Sequence, residues 1–379
     1  MLTPHTLAEL RRQFPVVSRV TYLDTAAVGI SPPVVVDAGL AALQAKSDPT
    51  ASRTWEEGMV ACLRQLADYL GTSPEAVVLT SNTTEGINLV ASSLAWRPGD
   101  EVLVNDADFP SNIYPWARLQ AAGVTLNVAH VTPGARAADA ILRAVTPHTR
   151  LVAVSHVFMN SGWRTDLTTL GAELHEQGIL LSVDGMQAVG FMKPELSQVD
   201  FYAASIYKGL LGPFGVGFLA VNPAVAESLS PTFVGYNSLA HRYRLGDEQF
   251  AWAPGARRLA FGHANYVGAE ALRASLQLLG GLGWENVHDT IRSLTGYAID
   301  RLSARSDVRV ITPQTPEERL AIVCFDVVGY DPADVHRHLR DAGVWVSVRD
   351  GHIRASFHIY NAPEDIDHLV DELASLRAR

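Results

Sequence analysis

ILLSVDGMQAVGFMKPELSQVDFYAASIYKGLLGPFGVGFLAV, residues 179–221, holds three short apolar runs. ILLSVD (179–184), FYAAS (201–205) and GVGFLAV (215–221) have strand lengths and end in polar residues or begin at glycine. Within SIYKGLLGPFGVG (205–217), Lys208 is the only charge, and glycine recurs at 209, 212, 215 and 217. A charge set between apolar runs loses hydration, and glycines there let other backbone come close. Only residues 206–214 separate the last two runs, too few for a crossover helix, so the last strand can run antiparallel.

The same pattern extends towards the N-terminus. AVVLT (76–80), EVLVN (101–105), LNVAHV (126–131) and LVAVSH (151–156) are further strand candidates. Amphipathic stretches such as EGINLVASSL (85–94) and LTTLGAELHEQG (167–178) lie between runs. Strands alternating with helices make an α/β architecture with a mostly parallel sheet. The C-terminal part differs. LAIVCFDVV (320–328), a helix over 332–341, VWVSV (344–348), a turn at Asp350-Gly351 and HIRASFH (352–358) describe a small α+β unit with a hairpin. Ile366, Leu369, Val370, Leu373 and Leu376 give the closing helix one apolar stripe, and Asn361 with Glu364 forms a candidate capping box. The expected division falls near 280, at LLGGLGWEN: a large domain over 15–280 and a small one over 1–14 and 281–379.

With 379 residues, 47% hydrophobic and 18% charged, the chain has an ordinary globular composition, and its length suits two domains. A net charge of −10 disfavours nucleic acid or an anionic membrane as the main partner. The start, MLTPHTLAELRRQFP, reads as a short amphipathic helix and not as a signal peptide, and no run is long enough for a membrane helix. Cys62 lies in a helical pattern and Cys324 in a strand pattern. Neither has zinc spacing, no metal set is expected, and two core thiols fit a cytoplasmic protein.

Five strand candidates of the large domain end in polar or aromatic groups. These are Ser81–Glu85, Asp106–Ser111, Ser155-His156, Asp184 with Gln187, and Ser205 with Tyr207 and Lys208. Ligands of open α/β sheets bind at the carboxyl ends of the strands. Each group has a plain reading. Ser81–Thr84 can be a helix cap, His156 a hydrogen-bonded structural histidine, and Phe109 core. Asp184 and Lys208 are harder to set aside, because burying either needs a partner. They could pair with each other. They also stand one strand–connection–strand step apart, where they can face two sides of one planar ligand. A buried lysine of lowered basicity attacks aldehydes, and a carboxylate beside a pyridine nitrogen keeps it protonated. Hydroxyls of Thr83, Thr84, Ser205 and Tyr207, with a helix N-terminus, suit a phosphate. The ligand meeting these three requirements is pyridoxal 5′-phosphate (PLP).

SVDGMQAVG (182–190) followed by SIYKGLLGPFGVG resembles the D-x-x-Q … K segment of the class V aminotransferase superfamily. That superfamily of fold-type I PLP enzymes includes cysteine desulfurases, isopenicillin N epimerase-like proteins and kynureninases. TYLDTAAVGISPP (21–33), TSNTTEGINLVA (80–91), SHVFMNSGWRTDL (155–167), FGHANYVG (261–268) and RASFHIYNAPEDID (354–367) follow in the family's order. The resemblance implies that Lys208 forms the Schiff base and moves protons, that Asp184 pairs with the ring nitrogen and that Gln187 bonds the ring hydroxyl. Thr83, Thr84, Ser205 and Tyr207 would hold the phosphate and Phe109 would stack on the ring, with His156 a further catalytic candidate. Arg354 would bind the substrate carboxylate, and His263 would reach the phosphate of a partner in a homodimer with shared sites. Desulfurases carry a sulfur-accepting cysteine shortly before the equivalent of Arg354. Here VWVSVRDGHIRAS has none. The expected activity is therefore lyase-type cleavage at Cβ or C–S of an amino acid without a persulfide cysteine. Alternatives are an aminotransferase, an epimerase or a non-catalytic PLP-fold scaffold. A nucleotide-binding lysine is a further alternative, disfavoured because no Gly-rich phosphate loop precedes a helix. Specificity is expected from 112–116, 158–163, 236–244 and the partner subunit.

Overall fold

The computed structural model describes residues 1–48, 50, 54–131, 136–241 and 251–376. The strands are β1 (Thr21–Tyr22), β2 (Val77–Thr80), β3 (Glu101–Asn105), β4 (Thr125–Ala129), β5 (Thr149–Ser155), β6 (Leu180–Asp184), β7 (Phe201–Ser205), β8 (Gly217–Val221), β9 (Val308–Val310), β10 (Ile322–Val327), β11 (Val344–Trp345), β12 (Ser347–Arg349) and β13 (His352–Ser356). The α-helices are α1 (Pro4–Arg11), α2 (Pro33–Ala45), α3 (Thr54–Leu70), α4 (Thr83–Ser93), α5 (Tyr114–Ala117), α6 (Ala137–Ala144), α7 (Leu167–His175), α8 (Pro223–Ala226), α9 (Tyr266–Leu282), α10 (Trp284–Ser303), α11 (Pro332–Asp341) and α12 (Pro363–Ala374). No helix among the described residues is long and apolar enough to cross a membrane.

The main sheet has seven strands in the order β2-β8-β7-β6-β5-β3-β4. Only β8 is antiparallel to its neighbours, β7 and β2, as the short connection after β7 requires. Side chains alternate across the sheet. Leu151, Ala153, Phe201, Ala203, Leu219 and Val221 pack on one face with Ile87 and Val90 of α4. Val152, Val154, Tyr202, Ala204, Phe218 and Ala220 pack on the other with α3, α7 and α9. Helices on both faces explain why the central strands read as continuous apolar runs.

The smaller sheet is antiparallel, in the order β12-β13-β10-β9. Val323, Phe325, Val327, Ile353 and Ala355 form one face, packed on α10, α11 and α12. Ile322 and Cys324, on the other face, join the core of the large sheet. Asp350 and Gly351 turn the β12–β13 hairpin with φ of 48° and 81°, the two positive values of a type I′ turn. The chain start is tied to its end. β1 pairs with β11, and Arg11 donates to both carboxylate oxygens of Asp365 at 2.6 and 3.2 Å. One sequence expectation needs correction. The capping box before α12 is not made by Asn361 and Glu364. Pro363 opens the helix, so the cap shifts to Ala362, whose N–H donates to Asp365 at 2.9 Å. Asn361 instead accepts the His358 N–H and donates to the Tyr22 carbonyl.

Candidate active site

At the carboxyl edge of the large sheet, register brings the strand ends together. Ser155 lies opposite Asp184, Asp184 opposite Ala203, and Gly217 sits between Ser205 and Thr80. There a cleft open to solvent is lined by Asp184, Gln187, Lys208, Thr83, Thr84, Ser205, Tyr207 and Phe109. Thus eight of the residues singled out from sequence share one cavity. Asn82, Ser111, Ser155, Val157, Met159 and Met186 complete the lining.

Each wall has a local cause. Asn82 caps α4 by accepting from the Glu85 N–H at 2.9 Å, and Glu85 accepts the Ser81 N–H in return at 2.6 Å. This box exposes the first turn of α4 at the strand edge. Ser205 Oγ accepts the Thr83 N–H at 2.8 Å and lies 2.9 Å from Thr83 Oγ1, while Thr84 donates to Ser111. The helix start and the end of β7 are thereby clamped as one hydroxyl-rich unit, with the partial positive charge of the helix behind it.

Asp184 is buried, and its Oδ1 accepts the Met186 N–H at 2.9 Å. Burial pushes its carboxyl up, opposed by that hydrogen bond and by the charge of Lys208. Lys208 is partly buried. Desolvation, then the charge of Arg354, pull its amine down to about 8, against Asp184. The loop carrying it is held on two sides. Gly29 donates to the Tyr207 carbonyl at 2.9 Å, and a Cβ on Gly29 would lie 2.1 Å from the Lys208 oxygen, so only glycine fits. His358 accepts the Ile359 N–H on Nδ1 and therefore donates from Nε2 to the Gly209 carbonyl, both at 2.8 Å. Burial holds that imidazole down to about 4, hence neutral.

Gln187 donates to the Ala26 carbonyl at 3.0 Å, while its Oε1 is buried without a hydrogen-bond partner. Phe109 is 46% exposed at the cleft, not core. Tyr207 packs against Phe214 with centroids 4.5 Å apart and the rings tilted by 31°.

Three sequence-selected residues lie outside this lining. His156 is buried behind it, 3.0 Å from Tyr202 Oη through Nδ1, with burial holding its pKa down to about 3. Arg354 is 1% exposed and donates to Ser347 Oγ at 3.1 Å, to the carbonyl of cleft-lining Met159 at 3.2 Å and to Asp24 at 3.4 Å. Three of its five N–H donors are thus engaged. His263 is exposed and packs its edge on Tyr236, 5.3 Å between centroids, away from the cleft of its own chain. The proposed specificity segments also divide. Asn112 and Trp116 are fully buried, Phe158 is core, Met159 reaches the cleft, and 242–244 lie outside the described residues.

Sequence reasoning missed Asp108. Its Oδ1 accepts the Ser155 N–H, and its Oδ2 accepts from Asn105 and Asn112 at 2.7 and 3.1 Å. Burial, with Asp184 nearby, pushes it up to about 7. Tyr202 was missed too, hidden in the apolar run of β7, although its ring would meet any Cβ at Gly185.

Known proteins match this chain over nearly its whole length. A family model described as aminotransferase class-V matches residues 21–369. A cysteine desulfurase of Cronobacter sakazakii is 31% identical, across 96% of this chain and 97% of that protein. A probable cysteine desulfurase of Methanothermobacter thermautotrophicus is 28% identical, across 97% of each. Among solved structures, a lysine-to-alanine variant of C-DES with glycine covalently linked to its PLP cofactor superposes at a TM-score of 0.90 and 26% identity, covering 97% of this chain and 99% of that one. The complex of the cystine C–S lyase C-DES with its reaction product, cysteine persulfide, gives 0.88 at 27% identity, covering 96% and 99%. The chain belongs to the aminotransferase class-V family.

Proposed function

We propose that this protein is a PLP-dependent lyase that cleaves the Cβ–S bond of a sulfur-containing amino acid and releases the sulfur without storing it on a cysteine of its own. The observation that carries the proposal is the state of the two thiols beside a complete lysine–aspartate cleft. Cys62 and Cys324 are both fully buried, and desolvation pushes both up to about 12. Neither offers a thiolate near neutral pH. The hairpin leading to Arg354 carries no cysteine.

The residues present fit the cofactor. Gln187 Oε1 is a buried acceptor left without a partner, as a neighbouring hydroxyl would require. The α4 start offers a hydroxyl cradle, and Asp184 is a buried carboxylate, raised by desolvation, that gains from a cationic ring nitrogen. When bound, PLP supplies a sink for the electron pair released at Cα. The chain's own groups do the rest. Asp184 keeps a proton at the ring nitrogen. Lys208, depressed in basicity, takes the proton from Cα. Arg354, behind Met159, would receive the α-carboxylate, a planar anion suited to its fork. Phe109, half exposed in the cleft lining, would cover a bound ring. The pair from the Cα–H bond forms a Cα–Cβ double bond as the Cβ–S pair departs with sulfur. Water then hydrolyses the C–N bond of the freed enamine, giving a keto acid and ammonia. For cystine, one substrate and one water give pyruvate, ammonia and cysteine persulfide.

Incubation with cystine tests this reading. Pyruvate and ammonia are expected in equal amounts with persulfide in solution, and a Cys62→Ala, Cys324→Ala double variant should stay within about twofold of the parent. With cysteine as the substrate, alanine together with persulfide on the protein would instead mark a desulfurase; with either amino acid, a racemised substrate or a keto acid retaining its sulfur would mark an epimerase or a transaminase.

We also infer a homodimer. Val36, Leu40 and Leu43 of α2 stand 46%, 52% and 55% exposed at helical spacing, an apolar stripe that a second copy would cover. In such a pair His263, on the surface of one copy, would serve the phosphate site of the other. Sedimentation should give twice the 41.0 kDa chain mass; a monomer at micromolar concentration would refute the pairing.

A further inference from the structure

We propose that Arg349, on the rim of the cleft, holds a second anionic group of the substrate, so that the preferred substrate is an amino acid whose sulfur substituent ends in a carboxylate. The inference rests on the lyase reading for the reaction, but not for the binding site.

Strand register places the residue. Ser347 lies opposite Arg354, and Arg349 opposite His352, in the antiparallel β12–β13 pair. Opposed residues share a face, and so do residues two apart in one strand. Arg349, Ser347 and Arg354 therefore stand on one side of the sheet. The other side, with Ile353 and Ala355, is packed on helices. Two contacts fix this face against the cleft. Ser347 donates to Asp24 at 2.9 Å while accepting from Arg354, whose Nη1 reaches the Met159 carbonyl. Asp350, the neighbour of Arg349, accepts from Asn160 at 2.7 Å. Met159 is cleft wall and Asn160 follows it, so the hairpin tip docks beside the opening.

Arg349 is partly exposed there and lacks an anion. Among the described residues no carboxylate lies within ion-pair distance of it, and its guanidinium donates only to the Val348 carbonyl, at 2.9 Å. The adjacent Asp350 is taken by Asn160, and Asp24 by Arg354 and Ser347. The charge of Arg349 nevertheless reaches the site, depressing Lys208 and Arg354 and favouring ionised Asp24. Two guanidinium groups on one sheet face, Arg354 directly behind the Met159 wall and Arg349 at the hairpin end beside it, suit a ligand anionic at both ends. The α-carboxylate goes to Arg354 and the far carboxylate to Arg349.

Calorimetry on the cofactor-loaded protein tests this with adipate and hexanoate. Adipate should bind at least about tenfold more tightly, the yield of one charge-assisted contact. Arg349→Met should erase the difference, and Arg349→Lys should keep part of it. Equal binding of both acids by the parent protein would overturn the proposal, as would a preference that survives in Arg349→Met. Turnover adds a second arm. kcat/KM for S-(2-carboxyethyl)-cysteine should fall at least tenfold further in Arg349→Met than kcat/KM for S-propyl-cysteine. If adipate is preferred but neither thioether is cleaved, the lyase reading fails while the second anion site stands.

Discussion

Lys208→Ala is expected to lower turnover by about 10⁴-fold, the upper range of what one positioned proton-transfer group contributes. The loss follows from placement. Lys208 is the single lysine lining the cleft, its loop is pinned by Gly29 and His358, and desolvation with Arg354 nearby pulls its amine down to about 8. The sign of the pH effect is set by that shift. A neutral amine is the reactive form, so in cofactor-free protein the rate of PLP uptake should rise with pH and level off above about 8. An ordinary lysine would still be rising near pH 10. At pH 7 roughly a tenth of Lys208 is already neutral, against far less than a hundredth of a free lysine. Stopped-flow absorbance across pH 6–10 reads the profile. Variant turnover within tenfold of the parent would make the lysine structural.

Asp184→Asn is the second large effect, a loss in kcat on the order of 10³-fold. The carboxylate sits at the end of β6, buried, with the Met186 N–H as its hydrogen-bond donor and Lys208 as the nearby cation. Asparagine keeps the volume and one acceptor but removes the charge that holds a proton on the ring nitrogen. Losing one member of a buried charged pair costs about 3–5 kcal/mol, and ~4 kcal/mol is a factor of roughly 10³ in rate. The variant should still fold and take up PLP, because Gln187, Thr83, Thr84 and Ser205 remain. Its bound cofactor should absorb with altered pH dependence, separating an electronic role from a structural one. A kcat within threefold of the parent, with cofactor bound, would remove Asp184 from the chemistry.

How much of this was legible beforehand depended on where each signal resides. Asp184 and Lys208 stood out because a charge inside an apolar run is costly, and that cost is local. The inner strands of the large sheet were legible for the same reason, since burial on both faces leaves continuous runs, whereas the half-exposed edge strand β4 was read from the run LNVAHV. β9 was not, because Val308–Val310 is three residues long with an exposed arginine at its centre. Asp108 was read only as part of a polar loop. Its burial comes from Asn105, Asn112 and the Ser155 backbone folding over it, and the last of these is 47 residues away. His358 acts on Gly209 across 149 residues. Arg349 gave no pattern of its own, since its place depends on hairpin register and on Asn160 capturing Asp350. Local composition carried the sheet and its charged ends, whereas contacts between the two sheets needed the folded chain.

Borohydride reduction of the freshly purified protein, followed by peptide mapping, asks whether one amine and one carboxylate hold a single flat phosphorylated aldehyde between them. A pyridoxyl group should be found on Lys208, one per chain, and should be absent after Lys208→Ala. Reduction that labels another lysine, or none although the protein cleaves sulfur amino acids, would mean that the cleft at the ends of β6 and β7 is not where this chemistry takes place.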